Sequence, residues 1–370
     1  MKNSIKEFIE PTDREKNSLW ENAVFVFDTN ILLNLYRYSS NTRKSLLDAF
    51  ESFKDRIWLP YQVAYEYMNR RCEVIYETIN RYDRFKEETE KYIKFATDIL
   101  RLNKDDNDIA DLTKYLYKWI NINQNENLLV INPNDDEILN RLLNIFEGRV
   151  GTKPEDSEVK EIVNEGEERY KKQIPPGYMD SKKMQDSNTE NNAFGDLIVW
   201  KQIIKYAKDN KVGIIFVTHD QKDDWWNIKS GKTIGPRIEL RREFVSETNQ
   251  LFHMYNMKTF ISIYNKLHER QINDSVIIEI NNLDQNIDER HKIKYSVSEK
   301  IAQIEEAIEK IKIRLSRQQR IISDYEADNE QNIETGKWTE KQYENAKQKI
   351  KKLENELRDK QKELELMQNQ

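Results

Sequence analysis

The sequence predicts an α/β fold: a mainly parallel central sheet flanked by helices, with a large helical insertion and a C-terminal α-helical hairpin or coiled coil. Three observations predict it. Short apolar runs at residues 24–27 and 212–218 read as buried parallel strands, and each leads into an acid, Asp28 or Asp220. Stretches with helical spacing separate them, which is the alternation expected of a parallel sheet. From residue 296 onward the pattern changes to a sustained heptad seam.

Taken in order, the strand at 24–27 ends at Asp28, and residues 31–50 read as helix. A second short strand at 57–59 runs into Pro60, which suits the first turn of a helix. That helix extends to about residue 102, with Val63, Tyr67, Val74, Ile75, Ile79, Tyr82 and Phe85 at helical spacing. Residues 104–190 form the helical insertion, broken at Asn132-Pro133-Asn134 and closed by the loop Ile174-Pro175-Pro176-Gly177-Tyr178. Helix resumes at 195–208, the central strand follows at 212–218, and the pattern from 242 to about 267 is helical. The apolar run 275–280, inside a linker at 271–295, reads as an edge strand or connecting segment.

In the tail, Ile301, Ile304, Ile308, Ile311, Leu315, Ile322 and Tyr325 form one seam, and Tyr343, Ala346, Ile350, Leu353, Leu357, Leu364 and Met367 another. A polar break at 329–339 separates them, so 296–370 is either an internal antiparallel hairpin or a coiled coil that joins two subunits. The expected organisation is a 1–270 domain, the 271–295 linker and the 296–370 tail.

Composition narrows the function. Nine glycines in 370 residues, with no GxGxxG or GxxxxGK[ST] stretch, argue against dinucleotide and P-loop folds. A single cysteine, Cys72, rules out an internal disulfide or a thiolate zinc cluster. The amino terminus lacks an apolar signal core and no segment reaches membrane-spanning length, so a cytoplasmic protein without a membrane partner is expected. A net charge of −6 is unlike a generic polyanion binder, although metal ions and local Lys/Arg can offset site carboxylates in an acidic nuclease.

The chemistry lies in acids carried by four segments: Asp28, Glu66, Asp196 and Asp220 with Asp224 close behind. Acids converging at the carboxyl ends of parallel strands repel one another unless cations sit between them, and hard oxygen donors select Mg²⁺ or Mn²⁺. Each acid has a plainer explanation. Asp28 or Asp220 can cap a helix, Asp196 can favour a helix N-terminus, and Glu66 can pair with Arg70 one turn on. An aspartate-nucleophile phosphatase also places an Asp after its first strand but wants a second two residues later, where this chain has Asn30.

Five motifs in order resemble the PIN-like nucleases, in particular a bacterial group with an extended helical insertion. They are Phe27-Asp28-Thr29-Asn30-Ile31-Leu32-Leu33-Asn34-Leu35-Tyr36-Arg37, Leu59-Pro60 to Glu66-Tyr67, the Pro175-Pro176-Gly177-Tyr178 loop, Gly195-Asp196-Leu197, and Thr218-His219-Asp220 through Asp224-Trp225-Trp226. Gly235-Pro236-Arg237 is similar to that group's closing motif, and the likeness covers roughly 22–265. The resemblance implies a PIN-like fold and a Mg²⁺- or Mn²⁺-dependent endonuclease with Asp28, Glu66, Asp196 and Asp220 as catalytic metal ligands. Asp224 joins them as the later acid, with Asp223 as its competitor, and Asn30 orients Asp28.

RNA is the expected substrate, and a toxin or phage-defence role is implied by analogy. The alternatives are a structure-specific or single-strand DNA nuclease, or a catalytically idle nucleic-acid-binding scaffold. Arg37, Arg70, Lys183 and Arg237 are the candidate phosphate contacts. Trp225 and Trp226 read as core packing, with base stacking as the competing role; His219 reads as incidental. Expected partners are nucleic acid, a second copy of the chain and a regulatory protein.

Overall fold

Strand β1, Val24–Phe27, consists of four apolar residues that are all buried, so both of its faces need cover. In the computed structural model, which describes residues 9, 11–101, 107–128, 133–185, 193–268, 274–330 and 338–368, helices supply that cover. Helix α1, Asp13–Asn22, precedes β1 and starts with a reciprocal cap between Thr12 and Glu15. After β1 come α2 (Thr29–Asn34), α3 (Ser40–Ser52) and the long α4 (Tyr61–Leu100). The insertion contributes α5 (Asn107–Asn127), α6 (Glu137–Ile145), α7 (Asp156–Lys171) and a 3-10 helix at Tyr178–Gln185. Next are α8 (Gly195–Asn210), β2 (Ile214–Val217), a hairpin of β3 (Trp226–Lys229) and β4 (Lys232–Pro236), α9 (Ile238–Thr248), β5 (Phe252–Tyr255) and α10 (Met257–Leu267).

The main sheet has three parallel strands in the order β1-β2-β5, with Phe27 opposite Val217 and Val217 opposite Tyr255. All three are four residues long and fully buried. One side is filled by an aromatic cluster in which the Phe260 ring meets Trp20, Phe25, Phe27 and Phe53 at centroid separations of 5.4–5.9 Å.

Four sequence expectations change. Residues 31–50 are two helices, because Ser39 caps a new one by accepting from the Thr42 amide. Residues 57–59 make two isolated bridges, Phe25 with Ile57 and Leu59 with Val150, rather than a strand of the sheet. The helical pattern after residue 242 is interrupted by β5: Asn249 at φ 54° ends α9, and the strand that follows is too short to announce itself by alternation.

The run at 275–280 is helical, lying in α11, Asp274–Glu330, instead of forming an edge strand. Val276 and Ile280 are fully buried while Ile278 is 58% exposed, so burial follows a four-residue period where a half-buried strand would alternate by two.

The chain divides into two compact units, Met1–Asn282 and Leu283–Gln370. The second is a helical hairpin of α11 and α12, Glu340–Gln368. Ile304, Ile308 and Ile311 on one helix and Ala346 and Leu353 on the other are buried. Tyr325 stacks on Tyr343 at 4.5 Å, and Tyr343 Oη donates to Glu326 at 3.0 Å. The apolar seams are thus covered within one chain. No helix among the described residues is long and apolar enough to cross a membrane.

Phe260 is completely buried, so Phe260→Ala should cost about 3–5 kcal/mol through lost burial and a residual cavity. Urea unfolding followed by tryptophan fluorescence measures this, since Trp20 lies against the same ring.

Candidate metal centre

The parallel register places the ends of β1 and β2 side by side, and the site is assembled on that junction. Asp28 N donates to Val217 O at 3.0 Å. Its carboxylate caps α2, with Oδ1 accepting from Thr29 N at 2.7 Å. Oδ2 accepts from Asn30 Nδ2 at 2.7 Å and from Thr218 Oγ1 at 2.6 Å. Asn30 is held in turn, its Oδ1 accepting from His219 N at 3.0 Å. It therefore ties the aspartate to the loop after β2. His219 is buried, with Nε2 3.2 Å from Tyr38 Oη.

Glu66 approaches from α4. Its Oε2 accepts from Thr29 Oγ1 at 3.0 Å and its Oε1 from Gln62 Nε2 at 2.9 Å. One residue, Thr29, thus joins the Asp28 and Glu66 carboxylates. Gly195 makes room for this at the start of α8, since a Cβ there would lie 2.7 Å from Glu66 Oε1. Asp196 follows, with Oδ2 3.4 Å from Trp225 Nε1. Asp220 sits in a tight turn whose geometry is set by Asp220 N to Thr218 Oγ1, 2.9 Å, and Lys222 N to Asp220 Oδ1, 2.8 Å.

Two residues that the motif reading passed over enter the site. Lys222 Nζ lies 3.2 Å from Asp220 Oδ2 and 3.1 Å from Asp180 Oδ2. Asp180 belongs to the 3-10 helix after the Pro-Pro-Gly loop, 40 positions before its partner Asp220 in the chain. Its only signal in the sequence was its place two residues after Tyr178 in that motif.

Asp224 is placed differently from the other acids. It is fully buried, and its Oδ2 accepts from Gly177 N at 3.0 Å and Met179 N at 3.2 Å. Asp224 thus anchors the loop that delivers Asp180, while its Oδ1 is buried without a hydrogen-bond partner among the described residues. The loop contains a cis Pro175-Pro176 bond and Gly177 at φ 89°, where a Cβ would collide with Tyr170 Oη and come within 3.2 Å of Asp196 Cβ. Only glycine suits both the φ and the close approach.

Arg169 braces the loop from α7. It donates to Pro175 O and to Glu243 at 2.7 and 2.8 Å, and Glu243 also accepts from Trp200 Nε1 at 2.9 Å. Burial raises the Glu243 carboxyl, but Arg169, Trp200 and Lys201 outweigh it and hold the group below the ordinary carboxylate value.

The acids crowd one another electrostatically. Desolvation, with Asp220 and Glu66 adding to it, pushes Asp28 up from 3.8 to about 6 despite the donors Thr218 and Thr29. Asp196 is raised well above 3.8 by burial, with Asp220, Asp180 and Asp28 contributing and Lys222 opposing. Burial also takes Asp224 to about 6. Burial disfavours charge on Lys222, yet Asp196, Asp220 and Asp180 more than reverse this, so the ammonium stays protonated.

Among the described residues, no three acid, histidine or cysteine side chains converge closely enough to ligate one ion together. The donor set nevertheless fits a magnesium-type ion, which keeps several waters and is held by one or two carboxylates. Asp180, Asp196 and Asp220 face the Lys222 ammonium, Asp28 and Glu66 accept from neutral donors, and the carboxylates of all five offer hard oxygens. Asp28 and Glu66, joined through Thr29, are the pair best placed to hold such an ion.

Of the candidate phosphate contacts, Arg70 is exposed one turn after Glu66. Arg37 pairs with Glu77 at 2.7 Å and Asn34 at 2.9 Å. Arg237 pairs with Glu239 at 2.7 Å and reaches Asp223 O at 3.1 Å. The side chain of Lys183 lies outside the described residues. Trp225 and Trp226 are 2% and 6% exposed, packed against the sheet with Trp225 on Phe216 at 5.2 Å, as the core reading expects.

The raised Asp28 value sets a pH dependence. The folded state holds this proton more tightly than the unfolded chain, so the contribution of Asp28 to stability is full below about 3.8 and is lost as pH rises through about 6. In chelator, wild-type stability should therefore fall over that window, and Asp28→Asn should remove about 1–3 kcal/mol of the fall. Urea denaturation across the pH range measures it; an identical pH slope in the variant contradicts the electrostatic account.

Comparison with known proteins adds one match. The PIN-like domain family model matches residues 24–240, which takes in Asp28, Glu66, Asp180, Asp196, Asp220 and Asp224. No curated protein and no solved structure matches the chain. PIN-like domains are typically metal-dependent nucleases. With the family match spanning more than half of the chain, the protein belongs to the PIN-like domain family.

Proposed function

We propose that the protein is a Mg²⁺- or Mn²⁺-dependent endonuclease that hydrolyses phosphodiester bonds in RNA, acting as a toxin or phage-defence effector. The observation that carries the enzymatic part is the joining of Asp28, Thr218 and Asn30 at the ends of β1 and β2, with Glu66, Asp196 and Asp220 around it. RNA, and the bacterial group whose motifs the sequence resembles, follow from that resemblance. A DNA nuclease or an idle nucleic-acid-binding scaffold are the competing readings.

In this reading Asp28 and Glu66 hold the ion, with Asp196 and Asp220 facing the same charge. Mg²⁺ or Mn²⁺, when bound, supplies the positive charge that lowers the pKa of water for attack on phosphorus and stabilises the leaving oxygen. The protein's part is positional. Asn30 and Thr218 fix the Asp28 carboxylate from one side, and the Thr29 amide fixes it from the other. Thr29 and Gln62 leave Glu66 little freedom to rotate. Arg70 is the exposed cation nearest along α4 to take the phosphate backbone of an incoming strand.

Purified protein should cleave an RNA panel with Mn²⁺ or Mg²⁺ and lose all cleavage in chelator. Asp28→Asn, Glu66→Gln, Asp196→Asn and Asp220→Asn should each lower the rate by about 10²–10⁴-fold, the scale of several kcal/mol of transition-state stabilisation. Cleavage that survives in chelator, or in Asp28→Asn, rejects the mechanism. DNA cleaved in preference to RNA moves the substrate to the competing reading.

Gly195→Ala tests the geometry without touching an acid. Its new Cβ would displace Glu66 Oε1, so activity should fall by about 10–100-fold through misplacement of the carboxylate. A circular-dichroism melt checks that the fold survives.

A further inference from the structure

We propose that Lys222 is the resident second cation of the site: its ammonium takes the place between Asp180, Asp196 and Asp220 that a second divalent ion would fill, so the site takes up one ion, on the Asp28/Glu66 side. The inference rests on the nuclease reading and goes beyond it by assigning the number of metals and the role of a lysine.

Lys222 is built into position from both directions. On its amide side it closes the turn onto Asp220 Oδ1 at 2.8 Å. On its carbonyl side, Lys222 O accepts from Trp225 N at 3.1 Å and Trp226 N at 3.2 Å, and both tryptophans are buried in the core. The backbone that carries the ammonium is therefore fixed to the end of β2 rather than free to swing. The side chain is 19% exposed and ends between two carboxylates that are themselves 13% and 15% exposed, Asp180 at 3.1 Å and Asp220 at 3.2 Å.

The arrangement is unlike a surface ion pair, in which an exposed lysine meets one acid at small gain. Asp180 is brought from a distant loop, and that loop is itself held down by Asp224 and Arg169. Four elements thus cooperate to surround one ammonium with acid.

A divalent ion and an ammonium cannot share this space, because like charges a few ångströms apart in an enclosed site repel strongly. Lys222 is covalently attached and enters without a loss of free-ion entropy, so it holds the position. Among the described residues Asp28 and Glu66 meet no such cation: their hydrogen-bond partners are the neutral donors Thr29, Asn30, Thr218 and Gln62. That half of the site is where an ion is still required.

The test is Mn²⁺ stoichiometry on the full-length protein, by equilibrium dialysis and by electron paramagnetic resonance of free Mn²⁺. Wild type should bind one ion per chain in the cleft, and Asp28→Asn should abolish it. Lys222→Met should bind two, the second replacing the lost ammonium, whereas Lys222→Arg should stay at one. Melting in chelator shows whether Lys222→Met is folded; it should melt lower than wild type and gain more from added Mn²⁺.

Two ions in wild type overturn the proposal, whatever the variants do, and leave the nuclease reading standing. One ion in a folded Lys222→Met overturns it as well. No ion in wild type removes the metal-dependent reading and this inference together.

Discussion

The in-register parallel pairing of β1 with β2 is the constraint on which the rest of the structure depends. It places Phe27 beside Val217, so the chain leaves the sheet at Asp28 and at Thr218 on adjacent strands, with Asp28 N already bonded to Val217 O at 3.0 Å. A shift of one residue would point every strand side chain to the opposite face and separate the Thr218 hydroxyl from the Asp28 carboxylate. The 2.6 Å bond between them is possible because both strands stop at the same level. All twelve strand residues are buried, with Phe25, Phe27 and Phe216 completely so.

The cost of the junction is electrostatic. Strands that end together bring their terminal acids together, and α4 and α8 add Glu66 and Asp196. Desolvation raises Asp28 and, against the pull of the Lys222 ammonium, Asp196. Elsewhere the protein neutralises its buried acids internally: Glu243 has Arg169, Lys201 and Trp200, and Asp136 has Arg71 at 2.9 Å, Tyr36 at 2.6 Å and the Leu139 amide. Asp28 and Glu66, by contrast, meet neutral donors alone among the described residues.

Much of this was legible in the sequence, for identifiable reasons. β1 and β2 are continuous apolar runs that end in acids, and α4 follows a proline with helical spacing over 40 residues. Those features are local. What was hidden depends on contacts between distant segments. β5 is four residues whose only claim to be a strand is the free edge of β2 beside it. The run at 275–280 has strand-forming residues, but the two buried positions, Val276 and Ile280, fall on one helical face. Asp180 ends the Pro-Pro-Gly motif, but its place beside Lys222, 42 residues later, depends on a contact that no local pattern encodes.

Asp224 shows most clearly where spacing stops being informative. Four residues after Asp220, it reads as an acid on the same helical face. The segment after β2 forms tight turns instead, pinned by Thr218 Oγ1 and Asp220 Oδ1 and then by the Lys222 carbonyl. In turns a separation of four implies no shared direction, and the Asp224 carboxylate faces the Gly177 and Met179 amides. The consequence reaches the site by another route. Those two amides set the path of the loop, the loop sets Asp180, and Asp180 with Asp220 sets the Lys222 ammonium. The Asp224 carboxylate, bonded to two backbone amides, thereby determines where the Lys222 ammonium stands.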